Sequence, residues 1–197
     1  MIIFGAGSLG LQVCDQLLTN GVERSDIIFF DKNTDNHKNI PSMFKYIDKF
    51  EELKDLLQKH KCFIAIGHPG KREKVTQKIQ SIGGKFESIK SNFAHISNFS
   101  IINNPHYIQP GVCIAHNTTI GDSAVIHANS IIAHDVNIGN YLSIAQNVNI
   151  MKNVKIGDLC FIGSNATIMP NIRIGNKVII GAHSIVKSDM QDYSSIT

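Results

Sequence analysis

Along the second half of the chain the hydrophobic positions recur with a period that neither a helix nor a flat strand produces. From Ile96 to Val186 every sixth residue is a branched aliphatic, running through Ile102, Ile108 and Ile114 to Ile168, Ile174 and Ile180. A helix repeats its apolar face about every 3.6 residues and a strand every second residue. An unbroken six-residue period is therefore an architecture in itself, a left-handed parallel β-helix of hexapeptide repeats. Glycine follows the inward aliphatic at positions 121, 139, 157 and 175, eighteen residues apart each time, and a second column holds Gly163 and Gly181. Three hexads thus make one coil with three distinct faces, and about five coils result, stacked as parallel strands about 4.8 Å apart. Two residues before the aliphatic sits a small or apolar residue, as at Val112, Thr118, Ala124 and Ser130. Three residues after it, Asn or Asp stands at 117, 129, 135, 147, 153, 165 and 171. These side chains tolerate left-handed backbone and mark the corners of a triangular coil.

The first half follows a different pattern. Ile2-Ile3-Phe4 reads as a short buried strand and runs into Gly5-Ala6-Gly7-Ser8-Leu9-Gly10, a G-x-G-x-x-G turn. Leu9, Val13, Leu17 and Leu18 then form the apolar face of a helix that Asn20-Gly21 stops. A second strand over 26–30 ends at Asp31, about twenty residues past the glycines, where a dinucleotide fold places its ribose-binding acid. The pattern continues with a strand at 44–47, a helix at 50–60, a strand at 62–66 ending at Gly67, and a helix at 71–82 closed by Gly83-Gly84. These elements predict a small α/β Rossmann-like domain over 1–91, with the β-helix over 92–197. Gly7, Asp31 and Gly67 all fall at the carboxyl ends of strands, the edge at which parallel sheets bind ligands, and the N–H groups of Gly7 and Ser8 face where a phosphate would sit.

Composition narrows the classes. The chain is 43% hydrophobic and 18% charged with a net charge of +3, which suits a globular protein and gives no basic cluster for nucleic acid. No stretch has the length and apolarity to span a bilayer, and Cys14, Cys62, Cys113 and Cys160 lie too far apart for a zinc ribbon or a disulfide framework. A cytoplasmic protein with buried reduced thiols is expected.

Candidate chemistry centres on Ile132-Ala133-His134-Asp135-Val136-Asn137-Ile138-Gly139. This segment resembles the one that carries the catalytic histidine and its acidic neighbour in the sialic acid O-acetyltransferase and nucleotide amino-sugar N-acetyltransferase family, which includes the bacterial N-acetyltransferases of bacillosamine and perosamine biosynthesis. Phe4-Gly5-Ala6-Gly7 and Phe63-Ile64-Ala65-Ile66-Gly67 are similar to the sugar-nucleotide-contacting segments of the same family, so the resemblance spans the chain. It implies an acetyl-CoA-dependent enzyme that N-acetylates a 4-amino group on a nucleotide-linked sugar for a surface glycan. His134 would be the general base and Asp135 the group that raises its basicity. Acetyl-CoA would contact Ser143, Gly163, Ser164, Gly181 and Ala182. The sugar nucleotide would contact Gly7, Ser8, Leu9, Asp31, Lys32 and Gly67. A homotrimer with active sites between subunits is implied, with no metal.

The residue types suit that reaction. An amine attacking a thioester must lose a proton, and an imidazole with an ordinary pKa of about 6.5 accepts it at neutral pH. A carboxylate on the other ring nitrogen fixes the tautomer and stabilises the imidazolium. Adjacent residues on an extended chain point to opposite faces, so Asp135 reaches His134 only if the backbone turns between them, and the corner position supplies that turn. No Ser or Cys has an evident base partner, which favours direct attack over a covalent intermediate. Other readings stay open: O-acetylation of sialic acid or another glycan sugar, and an inactive sugar-nucleotide-binding scaffold, for which the lack of the family's Gly-x-Pro-Ala motif after Asp189–Ser194 argues. A zinc site of the γ-class carbonic anhydrase kind is disfavoured because its histidine spacings are not reproduced. His95, His106, His116, His127 and His183 are expected to be solvated corner histidines.

Overall fold

The computed structural model describes the backbone of all 197 residues and every side chain except those of Thr34, His37 and Asn39. It divides into two compact units, one of residues 1–67 and 71–89, the other of residues 68–70 and 90–197.

The first unit is built on β1 (Ile2–Phe4), α1 (Ser8–Thr19), β2 (Ile28–Phe30), β3 (Lys45–Ile47), α2 (Phe50–Lys59), β4 (Cys62–Ile64) and α3 (Pro69–Ser81). The sheet is parallel in the order β3-β2-β1-β4, with Phe4 level with Phe30 and Ile64. All three residues of β1, β2 and β4 are buried, as helices on both faces of a parallel sheet require. Ile2, Phe4, Ile28, Phe30 and Ile64 pack with Leu53, Leu57 and Ile79 of the later helices. The second strand is shorter than its apolar run, because Arg24–Asp26 form a 3-10 turn. The fourth is also shorter, because the carbonyls of Ile66 and Gly67 turn to the Arg72 guanidinium at 2.8 and 3.0 Å.

The glycines of the first turn do three different jobs. Gly5 has φ +110°, and a Cβ there would stand 2.7 Å from the Ala65 carbonyl oxygen. A Cβ at Gly10 would stand 2.0 Å from the Gly5 carbonyl oxygen, so this glycine lets α1 press on the turn. Gly7 has nothing within 4 Å of that position. The first and third glycines are thus used by the protein itself, and the second leaves backbone open to a ligand.

In the second unit each hexad is a short strand and a turn, and strands eighteen residues apart pair in parallel: Ile120 with Ile138, Ile126 with Ile144, Ile132 with Ile150. Three parallel sheets result, and the inward aliphatics from Ile108 to Val186 form one continuous core. Register holds at eighteen as far as Ile168 with Val186 and Ile162 with Ile180, after which the last turn is two residues shorter, pairing Ile180 with Ile196.

Left-handed backbone occurs at the corners, including Asn117, Asn129, Asp135, Asn147, Asn153, Asn165 and Asn171, and also at Ser123, Tyr141, Leu159, Lys177, His183 and Tyr193. The second group corrects the rule that Asn or Asp mark the corners. Most of it lies in one column, where the preceding residue carries the amide or carboxylate instead. The Asp122 N–H donates to Asn140 Oδ1 (2.8 Å), the Asn140 N–H to Asp158 Oδ1 (2.6 Å), the Asp158 N–H to Asn176 Oδ1 (2.9 Å) and the Asn176 N–H to Asp192 Oδ1 (2.8 Å). This ladder offsets the strain, of order 1 kcal/mol or more, of a bulky residue at positive φ. Asp and Asn alternate along it, which keeps like charges two coils apart. The glycine column makes room for it, since a Cβ at Gly139 would stand 2.3 Å from Asp158 Oδ1 and 2.8 Å from the Gly157 carbonyl carbon.

Among the described residues no helix is long and apolar enough to cross a membrane. Gly139→Ala is expected to destabilise the protein by about 1–3 kcal/mol, as overpacking does, and thermal unfolding measures it; an unchanged midpoint would show that the ladder yields without cost.

Candidate active site

His134 and Asp135 meet at one corner of the β-helix. The positive φ of Asp135 (61°) swings its side chain back onto the preceding residue, and His134 Nδ1 lies 2.6 Å from Asp135 Oδ2. An ionised carboxylate only accepts, so Nδ1 donates to it, and in the neutral ring Nε2 then holds the lone pair. The two side chains are 41% and 42% exposed, open to solvent and reactants.

The coil before holds the carboxylate too. Asn117 Nδ2 donates to Asp135 Oδ1 at 3.3 Å, the Asp135 N–H donates to the His116 carbonyl at 3.2 Å, and the His116 ring stacks on His134 with centroids 5.1 Å apart and planes 10° apart. The hydrogen bond from His134, and after it that from Asn117, holds the Asp135 carboxyl below its ordinary value. On the other side Asp135 borders a cavity of about 360 Å³ that it shares with Asn153, Lys155, Asn171 and Arg173.

The five residues matched to acetyl-CoA sit elsewhere on the β-helix. Gly163, Ser164, Gly181 and Ala182 stack in one column: a Cβ on Gly163 would stand 2.5 Å from the Ala182 nitrogen, and the His183 N–H donates to the Ser164 carbonyl at 2.8 Å. Ser164 Oγ donates to Gln146 Oε1 at 3.2 Å. Ser143 is on a strand, buried, level with Val125 and Phe161. Within one chain this column and the His134 column are different corners, with the strands Ile131–Ile132, Asn149–Ile150 and Thr167–Ile168 between them.

In the first unit Gly7 precedes α1, Ser8 and Leu9 open it, Asp31 and Lys32 follow β2, and Gly67 follows β4, so the matched residues line the carboxyl edge of the sheet. Asp31 is engaged by its own surroundings. Its Oδ2 accepts from the Ala6 N–H and from Asn36 Nδ2, and its Oδ1 from the Asn33 N–H, each at 2.9 Å. It therefore ties the glycine turn to the end of β2. Beside it a cavity of about 320 Å³ is walled by Phe4, Phe30, Phe50, Ile66 and Ile79. Lys32 and Lys78 place their ammonium groups 5.7 and 5.0 Å from the Phe50 ring centroid. The sequence pattern misses Phe50, Lys78 and Arg72. They look like ordinary helix residues, and only packing shows that Phe50 borders a cavity and that Arg72 is wholly buried.

Burial pushes the thiols of Cys14 and Cys160 up to about 11 and that of Cys62 to about 12, so these three are protonated and inert at neutral pH. His106, expected to be solvated at a corner, is instead buried on the strand His106–Ile108, its Nδ1 3.1 Å from the Asn103 carbonyl, and desolvation lowers its pKa. Among the described residues no group of three or more His, Cys, Asp or Glu side chains is placed to hold a metal.

The model of the PglD N-terminal domain matches residues 1–79, and that of the bacterial transferase hexapeptide matches residues 117–152, 135–169 and 153–188. No curated protein sequence matches the chain. Among solved structures, the acetyltransferase domain of PglB from Neisseria gonorrhoeae aligns over 98% of this chain and 94% of its own, with a TM-score of 0.88 and 20% identity. WeeI from Acinetobacter baumannii aligns over 100% and 95%, at 0.88 and 22%. PerB from Caulobacter crescentus, in complex with CoA and GDP-perosamine, aligns over 97% and 90%, at 0.84 and 23%. At these identities the likeness is one of fold.

The lowered Asp135 value predicts that its carboxyl titrates below 3.8, the ordinary value, followed by carboxyl NMR shifts against pH. A lowered folded value contributes stability above the unfolded value, and that stability is lost as pH falls through the folded one. In a His134→Ala variant the titration should move up toward 3.8; one that stays in place would mean that the histidine does not hold the carboxylate.

Proposed function

We propose that this chain, which carries a PglD N-terminal domain followed by bacterial transferase hexapeptide repeats, is a sugar acetyltransferase of the hexapeptide-repeat superfamily that N-acetylates a 4-amino group on a nucleotide-linked sugar with acetyl-CoA. One observation carries the reading: on a β-helix of otherwise repetitive corners, one corner holds a histidine bonded through Nδ1 to a carboxylate at 2.6 Å, with Nε2 left as a base.

In this reading the amine nitrogen attacks the thioester carbonyl while His134 Nε2 takes its proton. The tetrahedral intermediate then expels the thiolate, which recovers that proton from the imidazolium, and Asp135 stabilises the charged ring between the two steps. No protein nucleophile is needed, consistent with three cysteines held protonated.

The sugar nucleotide is assigned to the carboxyl edge of the first unit's sheet, with phosphate at the N–H groups of Gly7 and Ser8, and with Leu9, Asp31, Lys32 and Gly67 around it. The openness at Gly7 supports this. Acetyl-CoA is assigned to the corner of Gly163, Ser164, Gly181 and Ala182 with Ser143 nearby. Because that corner and His134 are separated within one chain, the reading calls for a homotrimer in which one subunit supplies the base and its neighbour the coenzyme groove. Ile131 and Ile185, 48% and 53% exposed on the sheet between the two corners, and Met151 and Met169 at the turns give such an interface apolar surface. The four unpaired cysteines fit a cytoplasmic location.

A thiol-release assay with acetyl-CoA against UDP- and GDP-linked 4-amino sugars and sialic acids tests the reading. Turnover is expected with an amino-sugar nucleotide, and His134→Ala should lower it about 10²–10⁴-fold, the usual contribution of a general base. Undiminished turnover in that variant would remove His134 from the mechanism, and turnover confined to sialic acid would move the activity to O-acetylation.

A further inference from the structure

The two residues eighteen positions before the His134–Asp135 pair are His116 and Asn117, and three of their contacts bear on the same geometry. Asn117 Nδ2 occupies Asp135 Oδ1, which turns Oδ2 toward the histidine. The His116 carbonyl takes the Asp135 N–H and fixes the backbone from which the carboxylate springs. The His116 ring covers one face of His134 at 5.1 Å. Without such support the pair would be an exposed contact between two mobile side chains, which, like an exposed ion pair, contributes little and holds no fixed geometry. The wider corner is cationic: Lys152 lies one coil on in the column of His134, and Lys155 and Arg173 face Asp135 across the cavity, so a loosened carboxylate has other partners to turn to.

A neutral imidazole in water prefers its proton on Nε2, the wrong nitrogen for a base that must accept there. We infer that His116 and Asn117 are positioning residues that hold His134 in the Nδ1–H form, Asn117 by orienting Asp135 and His116 by stacking against rotation of the ring. The inference rests on the role proposed for His134 only in its consequence for turnover; the tautomer is a property of the protein by itself.

The test is ¹⁵N NMR of the His134 imidazole in the full chain, above the pH at which the ring is charged, together with steady-state turnover. Asn117→Gly removes the amide but suits the backbone, since Asn117 sits at φ 55°. It should shift His134 toward the Nε2–H form and lower kcat about tenfold at unchanged acceptor KM, short of the ~10⁴-fold that a wrong tautomer costs when the orienting carboxylate itself is replaced. His116→Ala should loosen the ring with the same spectral sign, and His116→Phe, which restores a flat face without a titrating group, should recover most of the loss. A His134 tautomer unchanged in both Asn117→Gly and His116→Ala overturns the inference whatever the turnover. Full turnover in His134→Ala would instead overturn the proposed base and leave the spectral result standing.

Discussion

The constraint on which the second unit depends is the pairing of each coil's peptide groups with those of the coils on either side. Residues in a strand and just after it give their N–H forward, as Ile131 does to Val148 at 2.8 Å and Ala133 to Ile150 at 2.9 Å. Corner residues, turned over by a left-handed conformation, give theirs backward, as Asp135 does to His116 and Asn153 to His134. A corner is therefore the place where the backbone reverses its direction of bonding, and a side chain there folds back along its own chain. The same reversal that keeps the helix closed brings a carboxylate within 2.6 Å of the histidine before it. The candidate chemistry uses a geometry that the scaffold needs at every corner.

Repetition also explains how the pair is kept in place while exposed. In a solenoid each residue's closest neighbours are its equivalents one coil away, so a residue can be supported by a pair of the same spacing in the adjacent coil. His116 and Asn117 stand in that relation to His134 and Asp135. The Asp122 to Asp192 ladder is the same device in a structural role: an amide or carboxylate on one coil accepts the N–H of the coil before it. One column stabilises corners that carry Tyr141 and Leu159 at positive φ, and the other aligns an acid with a base.

The first unit solves a different problem, a turn that must stay open. Gly5 and Gly10 let strand, turn and helix approach closely, and Asp31 ties the Ala6 N–H to the end of β2. These contacts stiffen the turn on its inner side and leave Gly7 clear on the outer side, the side to which the proposed function assigns a phosphate.

The six-residue period by itself determined the β-helix, the register of its coils and the place of Asp135 on a corner, because a stacked coil buries the same position in every repeat and the burial is written directly as aliphatic residues. The glycine motif likewise determined the first strand, turn and helix. The sequence rule for corners failed at Ser123, Tyr141, Leu159, Lys177, His183 and Tyr193, since most of these are stabilised by the side chain of the preceding residue bonded to a neighbouring coil. Only the tertiary structure decided that Asp31 is turned inward onto the glycine loop, that Arg72 is buried against the Ile66 and Gly67 carbonyls, and that Ser143 lies under its neighbours. The eighteen-residue spacing already places His116 in the column of His134, and the structure adds that the two rings lie flat on one another, with planes 10° apart. Each of these depends on the direction of one side chain relative to another segment, and a periodic pattern records which face a residue occupies, not what that face meets.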